Sequence, residues 1–276
     1  MNTKFNYKPA AFFLITFLIT FTTWFAAAYF SYQPGMEGAQ LLCMVPGLFA
    51  PFIAVIIMMS GAKNKEIRKD FRDRLSLKII RPKYLALILL IMPVTLILAT
   101  ALSLLFGQSA SQFLLNEEFA IMEGQFYISL LIMFLAPTLE ELGWRGYGVD
   151  SLRSKFSLFQ TTMLFALLWG LWHLPLFFIH GYYQNELWNT NIVFVINFFV
   201  QLLAATILMN WVYYKNNRSI TAAILFHFSL NLFSEMLQTE QFTKCIIGAL
   251  LLLLAAGIIV ANRKFFFHKP EGATGS

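Results

Sequence analysis

Long apolar runs follow one another along most of the chain. Runs of about 20 apolar residues lie at 10–30, 41–60, 84–106, 126–150, 157–178, 190–213, 219–238 and 244–262. Each run is long enough to cross a bilayer as an α-helix, and each is continuous rather than alternating as in the strands of a membrane barrel. The first is taken as a span because its apolar part is long for a signal peptide and no clear cleavage site follows it. The pattern predicts an all-α polytopic membrane protein of about eight transmembrane helices.

Composition supports this class and leaves no room for a separate soluble domain. Hydrophobic residues make up 58% of the 276 residues and charged residues only 12%, which lies outside the range of soluble globular domains. No polar stretch between the runs is long enough to fold on its own. A single integral membrane domain is therefore predicted over residues 1–269, and the small, polar segment 270–276 is set apart as a tail and a candidate cloning remnant.

Basic residues fall almost entirely on one side of the predicted helices. The connection "GAKNKEIRKDFRDRLSLKIIRPK" is rich in Lys and Arg, and of the 20 basic residues only Lys244 falls on the opposite side. Cytoplasmic connections carry the excess of Lys and Arg, so an even number of spans places both termini in the cytoplasm. The net charge of +6 then reflects topology and contact with anionic membrane lipid, and no nucleic-acid partner is expected.

A small set of polar side chains lies within the apolar runs. Ionisable groups at membrane depth are costly, so each one is a functional candidate. The ionisable members are Glu140, Glu141, Arg145, His173 and His227, and the uncharged members are Asn197, Gln201 and Asn231.

Four further residues with ligand or redox chemistry are given no functional role. His180 and His268 lie outside the runs and are interpreted as solvated or interfacial residues. Cys43 and Cys245 lie in or beside apolar runs without any ligand spacing, so both are interpreted as packing residues.

The segment "TLEELGWRG", residues 138–146, places three charges at the end of the fourth run. Glu141 and Arg145 are four residues apart, so a helix brings them onto one face as an ion pair. Glu140 points about 100° away from Glu141 around the same helix. Two interpretations have equal weight at this point: a functional carboxylate, or a charge cluster at the cytoplasmic end of the helix.

Two histidines lie in the later runs. His173 occurs in "WGLWHLP", and His227 occurs in "LFHFSLN", where Asn231 follows four residues on and shares its helix face. His173 could instead be a core or interfacial histidine beside tryptophans. His227 and Asn231 could instead form a polar clasp between helices, which is common in membranes and modest in energy.

The expected depths of these side chains favour function. Counting from the predicted cytoplasmic ends at 1.5 Å per residue, Glu140 lies about 15 Å deep, His227 about 12 Å, Asn231 about 18 Å and His173 about 24 Å. Helices that run in alternating directions thus bring their polar residues to overlapping levels. A Glu, two His and an Asn in one intramembrane cavity can activate water and stabilise an oxyanion.

Three ordered motifs then identify a family resemblance. "EELGWR" begins at Glu140, "WGLWH" ends at His173, and "HFSLN" runs from His227 to Asn231. In this order they resemble the motifs of the CPBP intramembrane proteases, and the final Asn is closest to the type II CAAX prenyl endopeptidases. Many relatives have Phe at the position of Trp169, which keeps the aromatic character.

The resemblance implies an eight-helix membrane core and an endopeptidase activity. The substrate is a protein whose C-terminal CAAX cysteine carries a prenyl group, and the last three residues are released. The lipid enters from the bilayer while the peptide comes from the cytosol. The predicted partners are therefore a prenylated CAAX peptide or protein and membrane lipid.

The site residues are assigned roles on this resemblance. Glu140 is the general base that deprotonates a water also held by His173. His227 and Asn231 donate hydrogen bonds to the developing oxyanion. The resemblance favours this metal-free, glutamate-type mechanism without a cofactor.

Glu141 and Arg145 are expected to support Glu140 rather than to react. Their pairing fixes the helix and keeps a positive charge near Glu140 or near the substrate carboxylate. A nearby arginine opposes the tendency of a buried carboxylate to hold its proton.

Two alternatives stay open. In the first, Glu140, His173 and His227 are three ligands of a catalytic zinc with water in the fourth position, although the chain has no HExxH motif and Asn231 then has no task. In the second, the same polar residues serve a non-catalytic membrane scaffold or a transporter. Transporters often contain repeated halves, and no convincing repeat is seen here.

Overall fold

Residues 5–60, 65–119 and 124–268 are described by the structure, a computed structural model. The predicted tail 270–276 lies outside them, as do the basic residues Lys4, Lys63 and Lys269. Within the described residues the secondary structure is helical, apart from one isolated antiparallel bridge between Leu115 and Leu237. The predicted all-α class is confirmed.

The helices are numbered α1 to α12 along the chain. The first four are α1, Pro9–Ser31, α2, Glu37–Ser60, α3, Lys65–Asp73, and α4, Pro82–Leu104. The next is α5, Gly124–Gly143, which continues through the π-helix Trp144–Gly148 into α6, Val149–Arg153. Then come α7, Leu158–Trp172, the 3₁₀ helix Leu174–Phe178, and α8, Tyr183–Thr190. The last four are α9, Ile192–Lys215, α10, Ile220–Glu235, α11, Gln241–Ala261, and α12, Arg263–Phe267.

Seven helical segments in the described part of the chain are long and apolar enough to cross a membrane. They are Pro9–Ser31, Glu37–Ser60, Pro82–Leu104, Phe126–Arg153, Leu158–Phe178, Ile192–Lys215 and Gln241–Ala261. Each overlaps one of the predicted runs. The protein is a polytopic membrane protein, as predicted.

The remaining predicted span, 219–238, contains a helix that is shorter than these seven. It contains α10, an apolar helix of 16 residues. At 1.5 Å per residue α10 is about 24 Å long, shorter than the roughly 30 Å hydrocarbon core. The helix ends at Glu235 and the chain then pairs with an earlier segment, since Met236 O accepts from Asn116 N at 3.0 Å and Gln238 N donates to Leu114 O at 3.0 Å.

The contacts between residues group the chain into two units. Unit 1 comprises the described parts of Met1–Asp73, Leu139–Ile196 and Asn262–Ser276. Unit 2 comprises the described parts of Arg74–Thr138 and Asn197–Ala261.

In unit 1, α1 packs along α2 and donates to two of its backbone carbonyls, one of which α2 leaves open. Pro51 lies inside α2 and has no N–H to donate to the carbonyl of Gly47, four residues earlier. Thr20 of α1 donates its hydroxyl to that carbonyl at 3.2 Å. The indole of Trp24 donates to the carbonyl of Met44 at 2.9 Å. These bonds let a proline-containing helix lie at membrane depth.

The π-helix of unit 1 interrupts the fourth span directly after the paired glutamates. Val149 N donates to Trp144 O, five residues earlier, which widens the turn. A Cβ atom on Gly146 would lie 2.7 Å from the ring of Phe71, so a glycine is needed for the ring to pack there. Such single π-turns occur frequently at functional sites.

In unit 2, α4 packs against α10 and α11, and polar side chains secure the connections between helices. Arg74 is buried and donates to the hydroxyl of Tyr213 at 2.7 Å, while its carbonyl accepts from the backbone of Ile220 at 3.0 Å. At other connections Gln112 Oε1 accepts from the hydroxyl of Thr243 at 2.7 Å. The bond from Ile220 to Arg74 holds the start of α10 against the segment that precedes α4.

Candidate active site

Glu140 lies near the end of α5 and is 7% exposed. Its Oε2 accepts hydrogen bonds from two indole N–H groups, that of Trp144 at 3.3 Å and that of Trp169 at 3.0 Å. Trp144 is one helical turn away, whereas Trp169 belongs to α7. Because an indole can only donate, both bonds suit an ionised carboxylate. Unit 1 thus holds the predicted base between two helices.

Glu141 and Arg145 form the ion pair that their spacing predicts. Arg145 Nη1 lies 2.9 Å from Glu141 Oε1 and 2.8 Å from Oε2, and both side chains are 0% exposed. The guanidinium carbon lies 4.9 Å from the ring centroid of Phe165 and 5.8 Å from that of Trp169. Aromatic faces attract a cation and exclude water from the pair.

His173 is the C-cap residue of α7, directly after Trp172, and is half-buried. Its Nδ1 lies 2.7 Å from the carbonyl oxygen of Trp169, one turn earlier. A carbonyl oxygen only accepts, so Nδ1 carries the proton and Nε2 holds the lone pair of the neutral ring. The nitrogen that can accept from a water or bind a metal is therefore Nε2.

The start of α7 explains how Trp169 and His173 are placed. Ser157 is the N-cap, its hydroxyl accepts from Gln160 N at 3.2 Å, and Gln160 Oε1 accepts from Ser157 N at 3.1 Å. This reciprocal capping box fixes where the helix begins. Pro175 follows His173 in the 3₁₀ segment that ends the span. Sequence signals at both ends therefore set the register of the second motif.

His227 and Asn231 belong to unit 2, where both lie on α10. His227 is buried and Asn231 is half-buried. Four residues separate them, so they lie on one face of the helix. Ser219 caps the start of α10 by accepting from Ala222 N at 3.1 Å. The helix thus presents the third motif as an i, i+4 pair.

Tyr182 was not among the predicted site residues. It follows the 3₁₀ segment in unit 1 and lies outside the membrane-spanning segments. Tyr182 is 37% exposed, yet partial desolvation of its hydroxyl raises its pKa above the usual value, and the negative charge of Glu140 raises the pKa further. A tyrosine whose pKa is raised in this way keeps its proton at neutral pH. No chemical motif in "HGYYQN" marks this position.

Four other residues named in the sequence analysis lie in ordinary structural settings. Cys43 and Cys245 are free, half-buried cysteines. In unit 2, Gln201 Nε2 donates to the carbonyl of Lys244 at 3.0 Å. In unit 1, His180 is exposed and its backbone N–H donates to the hydroxyl of Ser31 at 2.9 Å. The exposure of His180 agrees with its interpretation as a solvated or interfacial residue.

The fold and these side chains define a multi-pass membrane protein with candidate acid–base residues buried in its helices. The chain matches the family described as type II CAAX prenyl endopeptidase Rce1-like over residues 122–233, a range that contains all three motifs. It is also 43% identical over 270 residues to CAAX prenyl protease 2 of Methanococcus maripaludis, covering 98% of this chain and 99% of that protein. The protein belongs to the family of type II CAAX prenyl endopeptidases and is an integral membrane protease.

Proposed function

We propose that the protein is an intramembrane endopeptidase that removes the last three residues of prenylated CAAX proteins. The observation that carries the proposal is the buried Glu140 carboxylate, held by two indole N–H groups in a protein of this family. The relative from Methanococcus maripaludis is named for CAAX proteins, which supports the same substrate class here.

In the proposed mechanism, Glu140 and His173 activate one water molecule. Glu140 takes a proton from the water, and the remaining hydroxide oxygen bonds to the scissile carbonyl carbon. His173 Nε2 accepts the other water proton in a hydrogen bond and so orients the attack. When the C–N bond breaks, Glu140 returns its proton to the leaving amine.

His227 and Asn231 are proposed to stabilise the tetrahedral oxyanion. Both side chains can donate a hydrogen bond, and their shared helix face lets both point in one direction. Donors fixed before the reaction lower the barrier most when they are aimed at the charge that develops. Their place in the third family motif supports this role.

Arg145 is proposed to act on Glu140 and not on the substrate. The sequence left both roles open, but the guanidinium is fully buried and lies against Phe165 and Trp169. A cation enclosed in this way is poorly placed to meet an entering carboxylate. It acts instead by pairing with Glu141 and by favouring the charged form of the neighbouring carboxylate.

The substrate assignment is tested with purified full-length protein and a farnesylated CAAX peptide. We expect mass spectrometry to detect a released tripeptide and the shortened prenyl peptide. The same peptide without the farnesyl group is the control and should remain intact. Binding of the farnesylated peptide without any cleavage would instead favour the scaffold alternative.

The metal-free mechanism is tested by exhaustive chelation of the same preparation. If Glu140 and His173 activate water by themselves, the cleavage rate should be unchanged and metal analysis should find no stoichiometric zinc. Loss of cleavage that zinc restores would establish the alternative in which Glu140, His173 and His227 bind the metal.

The proposed orientation has both termini in the cytoplasm. Lys78 and Ser111 are both exposed residues of unit 2, and they lie in connections predicted on opposite sides of the membrane. In a background without Cys43 and Cys245, Lys78→Cys should react with an impermeant reagent only after the cells are opened, whereas Ser111→Cys should react in intact cells. The reverse result would overturn the orientation.

A further inference from the structure

Trp169 contacts three of the candidate site residues in unit 1. Its indole N–H donates to Glu140, its backbone carbonyl lies 2.7 Å from His173 Nδ1, and its ring lies 5.8 Å from the guanidinium of Arg145. We propose that Trp169, assisted by Trp144, is a positioning residue that fixes the Glu140 carboxylate for proton transfer. The proposal rests on the assignment of Glu140 as the general base.

The two indoles select one oxygen of the carboxylate. Trp144 and Trp169 both donate to Oε2 of Glu140, at 3.3 and 3.0 Å. A carboxylate oxygen accepts about two hydrogen bonds, so these donors fill the acceptor sites of Oε2. Two fixed donors also restrict rotation of the carboxylate. A general base needs this restriction because its oxygen must be aligned with the proton that it takes.

The surrounding contacts make Phe a clean substitution at this position. The ring of Trp169 is stacked on Phe165 at 20° with centroids 6.0 Å apart, and the bond to His173 uses only the backbone. Phe keeps an aromatic ring for the stack and keeps the backbone carbonyl. The change Trp169→Phe therefore removes chiefly the indole N–H.

Trp24 supplies a matched control within the same unit. It is also buried, and its indole also donates one hydrogen bond, to the carbonyl of Met44 at 2.9 Å. Trp24→Phe therefore loses the same chemical group at a place that contacts neither Glu140 nor His173 through a hydrogen bond in the described contacts.

The test measures kcat and KM for cleavage of the farnesylated peptide. Trp169→Phe should lower kcat by about tenfold, because it removes a hydrogen bond to a charged acceptor, and should leave KM within about twofold. Trp144→Phe with Trp169→Phe should lower kcat by about a hundredfold. Trp24→Phe should change kcat by less than about twofold even if it lowers the melting temperature.

A second measurement reports the contact without relying on activity. Protein labelled with ¹⁵N in its six tryptophans gives indole N–H resonances that the Trp→Phe variants assign. Glu140→Gln should move the Trp144 and Trp169 resonances, since their acceptor loses its charge, and should leave the Trp24 resonance in place. The shift is measured in the protein with all its tryptophans, and if Trp169→Phe does not fold, the other five Trp→Phe variants assign the Trp169 resonance by elimination.

The outcomes separate this inference from the function on which it rests. If the wild-type protein cleaves, Glu140→Gln does not, and Trp169→Phe keeps the wild-type kcat, the positioning role is wrong while the general base stands. Unmoved Trp144 and Trp169 resonances in Glu140→Gln would also overturn it. If Glu140→Gln cleaves at the wild-type rate, the assignment of Glu140 as general base fails, and if the wild-type protein does not cleave, the proposed function fails.

Discussion

Opposite charges meet in different ways in the two units of the molecule. In unit 1, Arg145 Nη1 contacts both carboxylate oxygens of Glu141, and both side chains are fully buried within the fourth span. In unit 2, Lys244 Nζ lies 3.1 Å from Glu235 Oε1, and the Glu235 side chain is 42% exposed. One pair is enclosed by the protein, and the other lies at the helix ends.

The two pairs differ in what surrounds the cation and in which partner reaches water. The guanidinium of Arg145 is planar and weakly hydrated, so it can lie beside the ring of Phe165 and still pair with a carboxylate. The side chain of Lys244, in the first turn of α11, is only 10% exposed, so its pair meets water chiefly through Glu235 at the end of α10.

The difference indicates what each pair does. Burying two charges costs several kcal/mol per ion unless geometry and hydrogen bonds compensate, so a fully buried pair is weak evidence of net stabilisation, and we propose that this one supports Glu140. Glu141 and Arg145 adjoin Glu140, the proposed base. A partly exposed pair costs little to form and contributes little, and Lys244 with Glu235 holds the connection between two helices.

The largest expected effect concerns the carboxylates themselves. Glu140→Gln keeps the size of the side chain but removes the base, so cleavage of the farnesylated peptide should fall by about 10² to 10⁴ or more. Glu141→Gln leaves the base in place and should lose less. Glu235→Gln, which breaks the pair in unit 2, should stay within about twofold of wild type. All three are compared as kcat/KM with peptide binding measured in parallel.

One result would reverse the assignment of the adjacent glutamates. If Glu140→Gln cleaves at the wild-type rate while Glu141→Gln is inactive, Glu141 is the base. The loss in Glu141→Gln should be larger than expected if the released Arg145 disturbs Glu140. In that case the double change Glu141→Gln with Arg145→Met should recover part of the activity.

The next effect is on stability. Arg145→Met leaves the Glu141 carboxylate buried without its cation, and we expect a loss of about 3 to 5 kcal/mol in the free energy of unfolding. Lys244→Met leaves Glu235 in contact with water, and the expected loss is about 0 to 1 kcal/mol. Both are measured by unfolding in the same detergent. Equal losses would show that burial does not distinguish the two pairs.

Much of the fold could be predicted because bilayer thickness constrains helix length. Seven predicted runs coincide with long apolar helices, whose ends are marked by signals such as Pro9 and the Ser157 cap. The length of α10 could not be predicted in this way. Its end depends on pairing between Met236 and Asn116, a contact between residues far apart in sequence, and hydropathy carries no information about such contacts.

The candidate site was predicted unevenly for a similar reason. The ion pair of Glu141 and Arg145 follows from helical spacing, which is a local property. The bond from Trp169 to Glu140 joins two helices. The sequence around a tryptophan in an apolar run is the same whether or not its indole N–H donates a hydrogen bond, so the sequence does not predict this bond. The coupling of Tyr182 to Glu140 is harder still to predict. Only the fold lets the charge of a carboxylate far away in sequence raise the pKa of this tyrosine.

The smallest expected effect is a change in the titration of Tyr182. Burial is the larger cause of its raised pKa and the charge of Glu140 is the smaller one. Glu140→Gln removes that negative charge, so the phenolate becomes less unfavourable and the pKa of Tyr182 should fall. It should nevertheless stay above 10.0, because burial is unchanged. Tyrosine ¹³Cζ resonances, assigned with Tyr182→Phe, would begin to shift at lower pH in Glu140→Gln than in the wild type. Glu235→Gln, which removes a carboxylate from the other unit, is the control and should leave the titration unchanged. A Tyr182 titration that is the same in Glu140→Gln and wild type would show that the hydroxyl does not sense the proposed base.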